Sequence, residues 1–214
     1  MDVAVAGGHG QVALRLLRLL AARGDRGRGL IRNPDQAGDL EAVGAEPVVC
    51  DLEADDADVV GAIAGADAVV FAAGAGPGSG VERKRTMDQG GAVKLIEAAK
   101  ASGIARYVIV SSMGADDPPP GDQVFAVYLQ AKAAADEALA SSGLEYTIVR
   151  PGGLTDEPGT GRIEVAEHLE RRGEIPRDDV AATLLAALDE PMTIGVTFEV
   201  LSGERGIAAA LRAL

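Results

Sequence analysis

The 214-residue chain carries a formal net charge of −13, and apolar residues make up 47% of it. The acidic surplus repels nucleic acid and anionic membranes, both of which bind surfaces rich in lysine and arginine. With aromatic residues at 3% and no tryptophan, the chain also offers few side chains on which bases could stack, so neither partner is expected.

The N-terminal sequence and the single cysteine indicate a cellular setting. The sequence starts MDVAVAGGHG, with an acid at position 2 and no basic region, which is not the pattern of a secretory signal. No apolar run approaches the roughly 18 to 20 residues that span a bilayer, and the lone Cys50 fits a reducing compartment. We expect a soluble, cytoplasmic protein that acts on a small molecule as a monomer or homodimer.

Short apolar runs alternate with helical segments along the chain. Strands are predicted at 3–7, 29–32, 47–50, 68–73, 107–112 and 146–150, and helices at 11–24, 86–103 and 125–143. Strands that are apolar throughout are typical of a parallel sheet covered on both sides. The pattern predicts a single α/β domain over 1–214: a Rossmann-type doubly wound, mostly parallel sheet with helices on both faces.

The chain after Pro151 is short. A strand near 161–165, a helix over 178–188, the strand GVTFEVLS and a last short helix use most of its roughly 60 residues. We predict that residues from about 152 to 214 form a small cap on the substrate side, with the pocket roofed by 152–161 and 114–122.

Two loops and two charged stretches lie near strand ends. The loops at 74–80 (GAGPGSG) and 114–122 (GADDPPPGD) follow strands, where open α/β sheets bind ligands. The basic stretch VERKRTMD (81–88) is predicted to be a solvent-exposed loop that can reach a cofactor through Lys84. The acidic run DLEADDAD (51–58) is predicted to be a helix N-terminus stabilised by the helix dipole rather than a cation site.

The first strand leads into a glycine-rich turn, GGHGQVA. Small residues there let the backbone approach a pyrophosphate, and the N-terminus of the following helix faces its negative charge. The alternative is a glycine-rich turn without a ligand, but the position between first strand and first helix favours a dinucleotide. The residues predicted to lie beside it are Gly7, His9, Gly10, Gln11 and Val12.

The end of the second strand, LIRNP, decides between two dinucleotides. A chain that binds NAD usually has an acidic residue here for the ribose hydroxyls, whereas arginine suits the 2′-phosphate of NADP. This chain has Arg32 and no acid. A guanidinium binds phosphate through a two-pronged fork, so the sequence favours NADP(H) over NAD(H), the alternative being a solvated surface arginine.

A series of motifs resembles those of the atypical short-chain dehydrogenase/reductases, in particular the NAD-dependent epimerase/dehydratase-like or NmrA-like group. The series covers nearly the whole chain: VAVAGGHGQVALRLLRLL, LIRNPDQ, VVCDLEADD, YVIVSSMGAD, YLQAKAAADEALASSGLEYTIVRPGGLTDEPGTGRI and IPRDDVAATLLAAL. The resemblance implies a cofactor lying across the carboxyl edge of the sheet. It places Asp51 and Leu52 by the adenine, Ala72, Ala73 and Gly74 by the adenosine ribose, and Pro151, Gly152 and Gly153 near the nicotinamide.

A tyrosine and a lysine four residues apart give the candidate catalytic pair. On a helix Tyr128 and Lys132 share a face, and a nearby ammonium favours the phenolate, so the tyrosine could give its proton to a carbonyl oxygen. Lys132 could also hold the nicotinamide ribose of the cofactor. Ser112 could hydrogen-bond the same oxygen, because alternation along the strand turns only one of the two serines to the cleft. Ser111 is assigned to the cofactor side. The alternative is a surface pair on an alanine-rich helix.

The resemblance implies a Ser–Tyr–Lys arrangement with an asparagine in the preceding helix, where this chain has Asp88. Two histidines and one cysteine give no metal-ligand spacing, so no metal site is predicted. The short segment after Pro151 leaves little room for the extra domain of sugar-nucleotide epimerases. Three hypotheses stay open: an NADP(H)-dependent oxidoreductase acting on a small carbonyl, quinone or flavin-like acceptor, a redox-sensing NADP(H)-binding protein without turnover, and a scaffold that binds no dinucleotide.

Overall fold

A large, mostly parallel sheet forms the centre of the protein, and the computed structural model describes residues 1–76 and 78–214. The strands, in chain order, are β1 (Asp2–Ala6), β2 (Arg26–Ile31), β3 (Glu46–Val49), β4 (Ala68–Phe71), β5 (Arg106–Val110), β6 (Glu145–Pro151), β7 (Gly153–Thr155), β8 (Arg162–Ala166), β9 (Glu174–Pro176), β10 (Val196–Ser202) and β11 (Arg205–Gly206). Nine of them make one sheet in the order β11-β8-β10-β6-β5-β4-β1-β2-β3, and β7 pairs with β9 in a separate small sheet.

The strand order identifies the topology. From β3 to β10 neighbouring strands are parallel, whereas β8 and β11 add an antiparallel edge. The succession 3-2-1-4-5-6 within this sheet is the dinucleotide-binding order, and its reversal between β1 and β4 opens a crevice at the carboxyl ends of the strands. The predicted fold class is confirmed.

Helices cover both faces of the sheet. They are α1 (Gln11–Arg23), α2 (Ala37–Glu41), α3 (Val59–Ile63), α4 (Val81–Arg83), α5 (Ala92–Ala101), α6 (Val124–Ala140), α7 (Arg177–Asp189) and α8 (Ile207–Leu211), with short 3-10 turns at Pro34–Gln36 and Pro191–Thr193. Side chains of β1 alternate between two cores: Val3 and Val5 pack with α1 and α7, and Ala4 and Ala6 pack with α5 and α6. This period of two is what a strand buried on both faces requires. Among the described helices, none is long and apolar enough to cross a membrane.

The segment from 81 to 91 corrects the sequence interpretation. It was predicted to be an exposed loop up to residue 88 and a helix from 86, but it is helical from Val81 onwards, with a π-helical stretch at Lys84–Gly91 that runs into α5. Its buried residues, Lys84, Met87, Asp88 and Gly91, follow helical spacing. The start of this helix was not predicted because two of its four inward-facing positions carry charges, which interrupts the apolar periodicity of the sequence.

The part of the chain predicted as a cap has two roles in the structure. Strands β8, β10 and β11 extend the main sheet, and α7 and α8 pack on its face. Gly153, at the start of β7 in the small β7–β9 sheet, and the segment 168–173 line a cavity described below. The acidic run 51–58 ends in Asp58, whose carboxylate accepts a hydrogen bond from the Gly61 amide and caps α3.

Candidate functional site

Three adjoining cavities follow the carboxyl edge of the parallel strands. The glycine-turn cavity, of about 260 Å³, is lined by Gly7, Gly10, Arg32 and Asp51, among others. The central cavity, of about 520 Å³, contains Tyr128 and Lys132 and shares Ala72, Ala73 and Gly74 with the first. The cap cavity, of about 530 Å³, shares Ser112, Phe125, Pro151 and Gly152 with the central one. Together they form one continuous cleft.

The glycine turn is shaped by close backbone packing. Gly7 has φ +77°, and a Cβ there would lie 2.6 Å from Ala73 Cα. A Cβ on Gly8 would lie 2.7 Å from Gly29 Cα, and the Gly8 amide donates to Leu30 O at 2.9 Å. Side chains are therefore excluded by the ends of β2 and β4. The turn brings the N-terminus of α1 to the cleft, where its unpaired amides and dipole favour an anion.

Three charged side chains stand at the outer end of the glycine-turn cavity. Arg32 is 52% exposed, and its Nη1 lies 3.6 Å from Glu53 Oε2. The same oxygen accepts a hydrogen bond from Arg83 Nε at 3.1 Å. Both arginines line the cavity. Two guanidinium groups therefore line the cavity, and a single carboxylate oxygen, Glu53 Oε2, bridges them. Arg83 was missed from the sequence because its segment was taken for a solvent-exposed loop.

The remaining residues predicted for this end lie around the same space. Asp51, Leu52, Ala72, Ala73 and Gly74 line the cavity, as does His9, whose Nε2 is 2.7 Å from Asp39 Oδ2. Val12 lines the central cavity instead, and Gln11 is exposed at the start of α1 outside the lining of either. The loop at 74–80 includes Pro77, which lies outside the described residues.

The candidate catalytic pair lies on α6 above a buried acid. Lys132 is 3% exposed; its Nζ donates to Val110 O at 2.9 Å and lies 3.5 Å from Asp88 Oδ1. Asp88 is 1% exposed, and its Oδ2 accepts from the Ala75 amide at 3.1 Å. The lysine ammonium is thus fixed by an acid and a carbonyl on two different elements. Its Nζ lies 5.9 Å from the centre of the Tyr128 ring.

A second lysine stands on the other side of the tyrosine. Lys84 Nζ lies 5.2 Å from the Tyr128 ring centre and donates to Gly76 O at 3.0 Å. It is 8% exposed, which corrects the prediction of a solvated residue. The ring of Phe125 stacks on Tyr128 with centroids 6.1 Å apart. The phenol therefore sits between two ammonium groups and an aromatic ring at the cleft.

The two serines after β5 have different surroundings. Ser111 is 2% exposed and its Oγ donates to Asp136 Oδ2 at 2.8 Å, which ties it to the interior. Ser112 is half-buried and lines both the central and the cap cavity. Asp136 also binds Arg150 Nε at 3.0 Å. Burial raises the pKa of the Asp136 carboxyl above its ordinary value, outweighing the opposing effects of Arg150 and the Ser111 hydroxyl.

The last predicted group lies where β6 ends and β7 begins. Pro151 and Gly152 line both the central and the cap cavity, and Gly153 lines the cap cavity alone. A Cβ on Gly152 would lie 2.4 Å from Gly173 O, so only glycine allows the β7–β9 sheet to approach this closely. The structure therefore gathers the predicted residues along one cleft, apart from Gln11 at its margin.

Comparison with known proteins agrees with this geometry. The model of a family described as NAD(P)H-binding matches residues 7–191. The chain belongs to this family. It is 42% identical, over the full length of both chains, to a Bacillus subtilis relative named "uncharacterized sugar epimerase YhfK".

Solved structures of similar fold agree with the assignment to the NAD(P)H-binding family. A putative NAD-dependent epimerase/dehydratase from Bacillus halodurans superimposes with a TM-score of 0.94 at 42% identity and covers 100% of both chains. ChuY from Escherichia coli O157:H7, described as an anaerobillin reductase, superimposes with a TM-score of 0.78 at 26% identity and covers 96% of this chain and 98% of its own. The resemblance to NAD(P)-binding proteins of the epimerase/dehydratase and short-chain dehydrogenase type is confirmed.

Proposed function

We propose that this protein is an NADP(H)-dependent oxidoreductase that reduces a small carbonyl, quinone or flavin-like acceptor. One observation carries the proposal: Tyr128, Lys132 and Ser112 line a cavity that continues into the cavity of the glycine turn and Arg32. A proton donor and a dinucleotide site are thereby joined in one cleft.

The residues of the cleft fit NADP(H). The turn at Gly7 and Gly10 and the N-terminus of α1 would hold the pyrophosphate. Arg32, with Arg83 beside it, would hold the 2′-phosphate, since a guanidinium pairs with phosphate in a two-pronged arrangement. Ala73 and Gly74 are small enough to let a ribose lie against the end of β4. When bound, the cofactor would supply the hydride that the acceptor takes up.

The side chains of the central cavity would handle the proton. The Tyr128 hydroxyl donates its proton to the acceptor oxygen, and the ammonium groups of Lys132 and Lys84 stabilise the phenolate that is left. Ser112 offers a hydroxyl to the same oxygen. Asp88 keeps Lys132 in place through the 3.5 Å ion pair and so acts as a positioning residue.

The rim of the central cavity supports an apolar acceptor. Val124, Phe125 and Leu154 line it and are 46%, 60% and 37% exposed. Exposed apolar side chains around a cleft favour a ring system over a polyhydroxylated sugar. The name of the Bacillus subtilis relative points to sugar epimerisation, whereas that of the Escherichia coli neighbour points to reduction. The apolar rim favours reduction.

Substitution of Tyr128 tests the proposal. NADPH oxidation is followed by nicotinamide absorbance with benzaldehyde, menadione and FMN as acceptors, and NADPH affinity is measured by titration. Tyr128→Phe should lower turnover roughly 10²-fold or more and leave NADPH affinity nearly unchanged, because only the proton donor is lost. The matched control is Tyr146→Phe, a half-buried tyrosine on β6 outside the three cavities.

The outcomes separate the hypotheses. Unchanged turnover in Tyr128→Phe would remove the tyrosine from the mechanism. Tight NADPH binding without turnover on any acceptor would instead favour a redox-sensing protein. A lack of affinity for either dinucleotide would favour a scaffold.

A further inference from the structure

The cap cavity contains three side chains of the kind that bind metal ions. Asp116 lies in the loop after β5, His168 in the segment after β8, and Glu199 on β10, and all three line this cavity. One donor atom from each lies within 4.8 Å of the other two. The sequence did not predict this group, because its members are far apart in the chain and only the spacing of the histidines and the cysteine was considered.

Glu199 is the buried member of the group. It is 4% exposed, and its Oε2 accepts a hydrogen bond from the Leu169 amide at 2.7 Å. Among residues 1–76 and 78–214, the hydrogen bonds of this side chain run through Oε2, and Oε1 is not one of the fully enclosed atoms without a partner, so it borders the cavity. A buried carboxylate is stabilised by pairing with a cation or by coordinating a metal ion. The hydrogen bond through Oε2 fixes the carboxylate and leaves Oε1 available to the cavity.

The two outer members, Asp116 and His168, lie close to one another, and Arg150 lies close to Asp116. His168 Nε2 lies 3.6 Å from Asp116 Oδ2, and Arg150 Nη1 lies 4.0 Å from Asp116 Oδ1. Arg150 has a closer partner in Asp136, at 3.0 Å, on the interior side. Asp116 can therefore turn to a new cation without leaving Arg150 unpaired.

We propose that Asp116, His168 and Glu199 bind a divalent transition-metal ion such as Zn²⁺. One imidazole nitrogen and two carboxylate oxygens form a ligand set that suits this class of ion, at bond lengths of about 2.0–2.2 Å. Two donors on one tetrahedral ion lie about 3.3–3.6 Å apart, so movements of about 1–1.5 Å by the exposed His168 and Asp116 side chains complete the site. The proposal departs from the sequence expectation of no metal.

Three protein ligands leave a coordination position open. Such an open position characterises zinc sites that bind water or a substrate oxygen rather than purely structural ones. Ser112 and Gly152 line the same cavity and also border the central one. An ion here would face the far side of a molecule bound in the central cavity and attract an oxygen of that molecule.

The other histidine provides a matched control. His9 Nε2 lies 2.7 Å from Asp39 Oδ2, a closer histidine–aspartate pair than that of the cap cavity. No third potential ligand joins it within the described part of the chain. The His168–Asp116 pair therefore has a buried third ligand, Glu199, which the His9–Asp39 pair lacks among the described residues.

Calorimetric titration of the full chain with Zn²⁺ alone, after treatment with a chelator, tests the site. We expect one equivalent to bind, and we expect a roughly tenfold or greater loss of affinity in His168→Ala, Asp116→Asn and Glu199→Gln, with His9→Ala unchanged. Burial raises the pKa of the Cys50 thiol, which keeps it protonated and a weak competitor. Zn²⁺ should also raise the melting temperature of the wild type but not of His168→Ala.

Three results would overturn the proposal. They are the absence of binding at about 100 µM Zn²⁺, an equal loss of affinity in His9→Ala, and full affinity in both His168→Ala and Asp116→Asn. The side chains of His168 and Asp116 are exposed and can be replaced without disturbing the core. These two variants therefore remain informative even if Glu199→Gln unfolds.

Discussion

Removal of the Arg32 guanidinium should weaken NADPH binding and leave NADH binding nearly unchanged. The side chain lines the glycine-turn cavity with Arg83, and Glu53 lies 3.6 Å away. NADH lacks the 2′-phosphate that Arg32 would contact. Because the chain has a net charge of −13, a local cation is needed to attract a polyanionic cofactor.

The magnitude follows from the exposure of Arg32. A charge-assisted hydrogen-bonded pair contributes about 1.5–3 kcal/mol when desolvated. At 52% exposure, solvent screens the pair, so about 1–2 kcal/mol remains for Arg32→Ala. This corresponds to a roughly 5- to 30-fold loss of NADPH affinity. Glu53→Gln should act in the opposite direction, since it removes the carboxylate that competes with the phosphate for both arginines.

Fluorescence titration of the wild type and variants with NADPH and with NADH measures the effect. Arg18→Ala is the control, because Arg18 is an exposed arginine of α1 outside the three cavities and its removal changes net charge equally. An equal loss for both cofactors in Arg32→Ala, or the same loss in Arg18→Ala, would refute the reasoning. Arg32 would then be a surface residue without a specific role.

Further predictions concern the serines, the glycine turn and a buried acid. Ser112→Ala should lower turnover, whereas Ser111→Ala should chiefly lower thermal stability because Asp136 loses a hydrogen bond; the reverse pattern in kinetic and melting measurements would contradict the assignment. Gly8→Ala should lower the free energy of unfolding by about 1–3 kcal/mol in denaturant titrations, because the added Cβ overpacks the turn. Gly38→Ala is the control, since a Cβ there meets no atom within 4 Å, and an equally small effect in both variants would be evidence against the packing argument. Burial raises the pKa of Asp136 in the folded protein above its ordinary value of 3.8. The protonated side chain therefore favours folding below pH 3.8, and this contribution to stability is lost as the pH rises through the pKa of the folded state. Melting temperatures measured across pH should show this loss of stability in the wild type and not in Asp136→Asn.

The sequence predicted the sheet and the first turn because both depend on local patterns. Continuous apolar strands and the glycines of GGHG are visible without tertiary information. Helix spacing pairs Tyr128 with Lys132, and the resemblance to the short-chain dehydrogenase/reductases implied that Ser112 joins them. The fold class was therefore accessible from the chain alone.

The parts that were missed depend on tertiary packing. Lys84 and Asp88 were named from the sequence but their burial was missed, because they are charged residues on the buried side of a helix, where apolar periodicity gives no signal. Asp136 was read as part of an alanine-rich helix, and its contacts with Ser111 and Arg150 join three elements. Asp116 and Glu199 come together only when the loop after β5 folds over β10.

The most direct test of the central claim is acceptor-dependent oxidation of NADPH by the wild-type protein, run beside NADH at equal concentration. The account predicts that at least one apolar carbonyl, quinone or flavin accelerates the loss of NADPH absorbance, with a higher kcat/KM for NADPH than for NADH. Saturating NADPH binding with no acceptor-dependent loss of absorbance across the panel would contradict it.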